Sequence, residues 1–126
     1  MAGEYINDNV FDQGVNYADT NGTRIDITSQ VATTYTQATS TYTLGNKTGL
    51  NTGAAQNGAT DGRRVIVPAI TDGSVTGTAT ATHWALTNGT DTLIATGPLS
   101  ASQAVTSGNT FTLDAISITI RDATVT

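Results

Sequence analysis

The chain has 126 residues, of which only 12% are charged, and its formal net charge is −5. Its length corresponds to one ordinary domain. The acidic balance disfavours nucleic acid as a partner, because contacts with phosphates need clustered Lys or Arg. The absence of cysteine excludes a disulfide framework and thiol chemistry. Thr makes up about a fifth of the residues, so we expect a neutral, hydroxyl-rich surface that is easily desolvated against other protein.

The first residues, MAGEYINDNVFDQ, have neither a basic start nor an apolar core, so they do not resemble a signal peptide. No apolar run approaches the roughly 20 residues that a membrane-spanning helix needs. We therefore expect a protein that is made in a cytoplasm and stays soluble or is assembled there, with no membrane partner.

Residues 5–18 differ from the rest of the chain, because their large apolar residues have nearly helical spacing. These residues are Ile6, Val10, Phe11 and Tyr17. The spacing predicts a helix of two to three turns, capped by Asn7 or Asp8 and ended by a turn at 19–22. Gly14 weakens this prediction, and an extended arm is the alternative. Residues 1–22 are thus predicted to form an N-terminal arm or short helix.

The segment 23–28 alternates, with Ile25 and Ile27 on one face and Arg24 and Asp26 on the other, which is typical of a half-buried strand. Residues 29–45 are rich in Thr, Ser and Tyr, and we expect a loop over the sheet followed by a short strand at 41–44. Residues 45–62 contain many Gly and Asn and predict a long flexible loop. That loop is too short to separate two domains, so residues 23–126 are predicted to form one domain.

Short Thr- and Val-rich runs alternate with turn dipeptides from residue 63 onward. Turns are predicted at 72–73, 88–89, 97–98 and 107–109, because Gly, Asn and Asp tolerate the backbone angles of tight turns. Pro68 places the strand 63–70 at a sheet edge or a bulge. About seven short strands predict an all-β fold, an antiparallel β-sandwich.

In two predicted strands the alternation of inward and outward residues shifts by one position along the strand. For both Val75 and Trp84 to point inward, the strand 75–86 needs a bulge. In the last strand Phe111 and Leu113 have odd numbers, whereas the apolar residues that follow have even numbers. These are Ile116, Ile118 and Ile120. Strict alternation cannot bury both sets, so a bulge is predicted near 114–115.

Residues that could carry chemistry are few. His83 is the only histidine, which rules out a His-pair metal site, and we interpret it as a structural or interface residue. A carboxylate pair would have to come from aspartates such as Asp61, Asp72 and Asp91, all of which lie in turn motifs. We therefore expect neither catalysis nor a cofactor or metal. Trp84 is interpreted as a core residue, with a sugar-stacking surface as the alternative.

Several long stretches resemble small virion proteins of tailed bacteriophages. They include NVFDQGVNY, TRIDITSQ, DGRRV, VPAITDGSVTGTATATHWAL and LSASQAVTSGNTFTL, and together with the residues between them they extend over nearly the whole chain. The resemblance implies a structural protein, synthesised in a bacterial host cytoplasm and incorporated into the virion. It marks no catalytic residue.

Charge favours one position in the particle, since an acidic sheet inside the shell would be repelled by packed DNA. We therefore expect a decoration or cement protein on the outer capsid surface that binds the major capsid protein and stabilises the head. Self-association is also expected, with a trimer as one arrangement. The predicted partner-binding residues belong to the N-terminal segment and the 45–62 loop. They are Tyr5, Ile6, Val10, Phe11, Tyr17, Leu50 and Asn51.

Two other functions remain open from the sequence. One is a head–tail connector or tail structural component, which differs from a decoration protein in copy number. The other is a module that binds carbohydrate or the host surface, which requires exposed aromatic rings beside polar groups.

Overall fold

The computed structural model describes residues 8–58 and 62–120. Within these residues, one α-helix, α1 (Asp8–Asn21), precedes nine strands. The strands are β1 (Arg24–Thr28), β2 (Thr43–Thr48), β3 (Gln56–Asn57), β4 (Arg63–Val67), β5 (Ile70–Val75), β6 (Ala79–Thr87), β7 (Leu93–Val105), β8 (Thr110–Leu113) and β9 (Ile116–Ile120). A single turn of π-helix, Gln37–Thr41, lies between β1 and β2.

The strands form two antiparallel sheets that share one apolar core. The larger sheet has the order β7-β6-β1-β2-β5-β8, and the smaller sheet has the order β3-β4-β9. Ile27 and Phe111 of the larger sheet belong to the same buried cluster as Val67 of the smaller one. The predicted all-β, sandwich-like fold with a short N-terminal helix is confirmed.

The helix α1 packs on the smaller sheet, because Val15 and Ala18 lie on one face of the helix and bury against Val65 of β4. It continues through Asn21, so the predicted turn at 19–22 is wrong. The reason is local, since the Gly22 N–H donates a bond of 2.7 Å to the Ala18 carbonyl and extends the helical pattern. A Cβ at residue 22 would lie only 2.9 Å from Leu86 Cδ2, so glycine is also what lets the helix end fit against the sheet.

Strand β1 is buried on both faces, which corrects the prediction of a half-buried strand. Ile25 and Ile27 point into the main core, while Asp26 and Thr28 are equally inaccessible on the opposite face. That face is covered by the segment between β1 and β2, whose Ala32 and Ala38 pack against Ala85 of β6. The segment therefore lies over the sheet as predicted.

Residues 45–62 are not one continuous loop. β2 extends to Thr48, since Gly45 and Asn46 pair with β5 while the later residues of β2 pair with β1. A further short pairing joins Gln56 of β3 to Arg64 of β4. Strand pairing on both sides of β2 thus outweighs the turn-forming composition of its C-terminal half.

The predicted turn at Asp72-Gly73 is also wrong, because both residues lie inside β5. Gly73 is paired with Phe111 of β8 at an irregular point of the ladder, and the Phe111 ring occupies the place of a side chain at residue 73. The chain reverses instead at 68–69 and again at 76–78. Val75 and Trp84 consequently belong to different strands, and the predicted bulge between them is not needed.

The phase change in the last strand has a different cause from the predicted bulge. Residues 114–115 separate β8, which pairs with β5, from β9, which pairs with β4. The stretch therefore leaves one sheet and joins the other. Phe111 and Leu113 fill the core from the larger sheet, and Ile116 and Ile118 pack on it from the smaller sheet.

Candidate functional site

An open cleft of about 780 Å³ lies where the two sheets diverge. One wall consists of residues 97–101 and Gln103 of β7, and the other consists of residues 112–117, from β8 to β9. Trp84 of β6 forms the floor. The volume lies within the range of ligand-binding sites in proteins. We call this feature the β7–β9 cleft.

The cleft exists because both of its walls are strand edges. β7 and β8 are the two edge strands of the larger sheet, and β9 is an edge strand of the smaller one. The larger sheet curls until its edges approach each other, and at the narrow end of the cleft Gln103 Nε2 donates a 2.7 Å hydrogen bond to the Thr112 carbonyl. A side chain, instead of a ladder of backbone bonds, thus joins the two edges.

A wide bulge in β7 opens the cleft. Gln103 pairs with Ala81 and Pro98 pairs with His83, so residues 99–102 lie opposite the single residue Thr82. Pro98 has no N–H to donate to a ladder, and proline in sheets is confined to edges and bulges. The predicted turn at Gly97-Pro98 is therefore wrong, because β7 continues through these residues and bulges after them.

The floor of the cleft is apolar. Trp84 is half-buried and is paired with Gly97, and a Cβ at residue 97 would lie 2.9–3.0 Å from atoms of the indole. The absence of a side chain at Gly97 thus lets the ring lie across β7, a recognised way of covering a glycine at a sheet edge. Leu99, Leu113 and Ile116 line the cleft with Trp84; Leu113 belongs to the main core, and the other two pack against it. Trp84 is the only tryptophan, so it reports on this site alone.

The walls carry little charge. Among the described residues that line the cleft, Asp114 is the only charged one. In the second wall, Ser117 Oγ accepts a 3.2 Å hydrogen bond from Arg64 Nη1. The remaining polar groups at the walls are hydroxyls, the Gln103 amide and the backbone. Such a surface suits an uncharged ligand that forms hydrogen bonds.

The sequence did not predict this cleft, and Tyr17, Leu50 and Asn51, the predicted partner-binding residues whose side chains the structure describes, do not line it. Tyr5 and Ile6 lie outside the described residues, and Val10 and Phe11 lie in the first turns of α1, where only the backbone is described. Tyr17 is 48% exposed on α1. Leu50 packs partly on the main core, and the neighbouring Asn51 is exposed. Their role in binding a partner stays a prediction.

Two signals in the sequence do point to the cleft. The change of phase between Leu113 and Ile116 marks the wall that passes from one sheet to the other. Gly97-Pro98 marks the place where the regular pairing of β7 with β6 is interrupted by the bulge. Sequence patterns alone did not show that these two places face each other across Trp84.

Among the described residues, Asp26 is the only charged one that is fully buried. Its carboxylate accepts bonds from Arg24 Nε at 2.8 Å, from Arg24 Nη2 at 2.9 Å and from Thr43 Oγ1 at 2.7 Å. The hydrogen bond to Asp26 raises the pKa of the Arg24 guanidinium. Because its donors come from Arg24 of β1 and Thr43 of β2, the carboxylate ties these two strands together and serves a structural role.

His83 also makes a structural contact. Thr82 Oγ1 donates its proton to the Ser29 carbonyl at 3.0 Å, so the 2.8 Å contact with His83 Nδ1 requires an Nδ1–H donor. The imidazole thus helps to hold the start of the covering segment against β6. This position agrees with the interpretation of His83 as a structural residue.

The candidate carboxylates are not brought together. Asp72 forms an exposed ion pair of 2.9 Å with Lys47, and Asp91 accepts bonds from Asn88 and Thr92 inside its own turn. Asp61 lies outside the described residues. Among the residues that the structure describes, no three of His, Asp and Glu approach closely enough to hold a metal ion.

No protein-family model, curated protein or solved structure matches the chain. Within 8–58 and 62–120, no helix combines the length and the apolar character needed to span a membrane. The resemblance to bacteriophage virion proteins therefore stays a prediction.

Proposed function

We propose that the chain is a structural protein of a tailed-bacteriophage particle, bound as a decoration protein to the outer surface of the major capsid lattice. The observation that carries this proposal is the edge strand β7, which has 13 residues and no charged side chain. Soluble proteins protect an edge strand of this length with charges, proline or bulges, and in β7 only Pro98 and the bulge that follows it are present. A neutral edge beside an open cleft suits a strand that is covered in an assembly.

Charge supports the outer surface over the inner one. The chain carries a net charge of −5, and the interior of a filled head presents dense phosphate. Many copies that bind the assembled lattice and not its free subunits would stabilise the shell by mass action. The activity that we propose is thus binding, and no bond is made or broken.

The N-terminal segment is the second proposed contact. The buried face of α1 starts at Val15 within the side chains described, and Tyr17 on the same helix is largely exposed. Deleting residues 1–12 would leave Val15 and Ala18 on the smaller sheet. We expect this deletion to abolish binding to purified heads while the melting temperature changes little. Unchanged occupancy would exclude the segment as a contact.

Counting copies in the particle tests the proposal. Purified virions analysed by quantitative gel electrophoresis and imaging should contain on the order of hundreds of copies on the head surface, as lattice binding requires. A ring of a few copies at the neck or tail would instead indicate a connector or tail component. Heads lacking the protein should break at lower temperature and recover when purified protein is added. Absence from mature particles would refute the proposal.

The position of Trp84 favours one other function, the binding of a host-surface glycan. An aromatic ring at the floor of a cleft with hydroxyls and an amide is an arrangement that can stack on a sugar. Quenching of Trp84 fluorescence by soluble glycans at millimolar concentration would support it. No change in fluorescence with host-surface glycans would exclude it.

A further inference from the structure

We propose that the β7–β9 cleft binds an extended, uncharged segment of a partner protein, which adds as a strand along β7. This inference rests on the proposed function, in which the edge of β7 is covered in an assembly. It goes further by naming the site, the backbone direction and the chemical character of the segment.

The backbone on both sides of the cleft favours a strand as the occupant. Within residues 8–58 and 62–120 the walls are edge strands of the two sheets, so the N–H and C=O groups on their outer sides pair with no further strand of this part of the chain. Residues 99–102 of β7 have, in addition, no one-to-one partners on β6. An extended chain satisfies such rows of donors and acceptors all along its length, as in strand addition to an exposed sheet edge.

Topology sets the direction of the added strand. Each neighbouring pair in the order β7-β6-β1-β2-β5-β8 is antiparallel, so β7 and β8 run in opposite directions. A strand between them is antiparallel to one wall and parallel to the other. Antiparallel pairing is the more stable of the two, and β7 is the longer edge. The segment therefore runs antiparallel to β7.

The narrow end limits the length of the segment. Gln103 closes the cleft by its hydrogen bond to the Thr112 carbonyl, which leaves residues 97–101 of β7 as the free wall. Five residues of strand span about 17 Å. The bound core of the segment is therefore about five residues long, and every second side chain points toward the floor.

The floor and walls define the side chains that fit. Trp84, Leu99 and Ile116 offer an apolar surface for the inward positions of the segment. Asp114 and the overall charge of −5 disfavour acidic residues. The segment that fits is neutral, has apolar residues at alternate positions and contains no Asp or Glu.

Short synthetic peptides test the inference with the full-length protein. Three blocked peptides would alternate Thr with Val, Leu or Phe over seven residues, with one Lys at each end for solubility. At least one should bind, shift Trp84 emission to shorter wavelength and slow hydrogen exchange at the amides of residues 99–102. Replacing Thr by Glu in the same peptide should weaken binding.

Two controls distinguish strand addition from non-specific hydrophobic binding. A peptide N-methylated at its apolar residues keeps its side chains but loses backbone donors, so it should bind at least about tenfold more weakly. Ala115→Phe fills an exposed position in the wall and should weaken binding by a similar factor. The matched Ala104→Phe, exposed on β7 but outside the cleft, should bind like the parent protein.

The possible results decide between occupants. Equal binding of the N-methylated and parent peptides, or no binding by any of the three peptides at millimolar concentration, would overturn the inference. The inference would also be overturned if glycans but no peptide quenched Trp84 fluorescence. The same holds if the chain formed a dimer in which the amides of residues 99–102 were already protected from hydrogen exchange. Peptide binding by a protein that is absent from virions would leave the cleft assignment intact and refute the proposed decoration role. If copies are found on the head but no peptide binds, the decoration role would stand and the cleft assignment would be refuted.

Discussion

Replacing Gly73 by alanine should test the packing that keeps Asp72-Gly73 inside β5. A Cβ at residue 73 would overlap with Cε1 and Cζ of Phe111 and lie 2.6 Å from its Cδ1. The ring is only 2% exposed, so it has no free space into which it could turn. Overpacking of this kind costs about 2 kcal/mol of unfolding free energy. For a chain of this length the melting temperature should fall by roughly 6–10 °C.

A double-mutant cycle identifies the cause of that loss. Phe111→Leu removes the two ring atoms that overlap most, and by itself it should cost about 1 kcal/mol through the cavity that it leaves. The double variant Gly73→Ala/Phe111→Leu should lose less than the sum of the single variants, by about 1 kcal/mol. Urea unfolding followed by Trp84 fluorescence measures all four proteins. Additive losses, or a Gly73→Ala variant as stable as the parent, would refute the close packing of Phe111 on Gly73.

Three further predictions concern polar and glycine positions. Asp26→Ala should cost about 3 kcal/mol because it leaves Arg24 partly buried and unpaired, whereas Asp72→Ala, in an exposed ion pair, should cost at most about 0.5 kcal/mol in urea unfolding. Gly49→Ala should cost about 1 kcal/mol, because its φ is +68°, but Gly53→Ala, equally free of neighbours, should cost nothing. Hydrogen bonds lower the pKa of Asp91, so its stabilisation is complete above about pH 4 and is lost as the pH falls. Asp91→Asn should flatten the stability profile in that acidic range.

Each of these comparisons contains the result that would contradict it. Equal losses for Asp26→Ala and Asp72→Ala would mean that burial of the carboxylate does not matter. Equal losses of stability for Gly49→Ala and Gly53→Ala would refute the explanation that the positive φ of Gly49 causes the loss. A parent and an Asp91→Asn protein with parallel profiles below pH 4 would show that its hydrogen bonds do not persist in solution.

The sequence predicted the fold class because local signals are strong where strands alternate and turns contain glycine. The turn at Asn88-Gly89 formed as predicted, with φ of +74° at Gly89, and its geometry is set by nearby atoms such as Asn88 Oδ1. Asp72-Gly73 has the same kind of composition but lies in a strand. The difference is the distant Phe111, which no local pattern reveals.

The candidate site was harder to predict for the same reason. The cleft requires Trp84 of β6 and Gly97 of β7 to face Asp114, which lies between β8 and β9, and the two walls are far apart along the chain. The change of phase after Leu113 was visible in the sequence, but a bulge and a change of sheet give the same alternation pattern. Only the pairing of β8 with β5 and of β9 with β4 distinguishes them.

The change of sheet at 114–115 also has a consequence for how the protein is made. β8 and β9 supply the last partner of β5 and of β4, so the larger sheet is not complete until residue 113 has left the ribosome, and the smaller sheet not until residue 120. Contacts between residues so distant along the chain form slowly, because the loops between them must close first. On the nascent chain the edges of β4 and β5 that pair with β9 and β8 therefore lack these partners until translation reaches the C-terminal region.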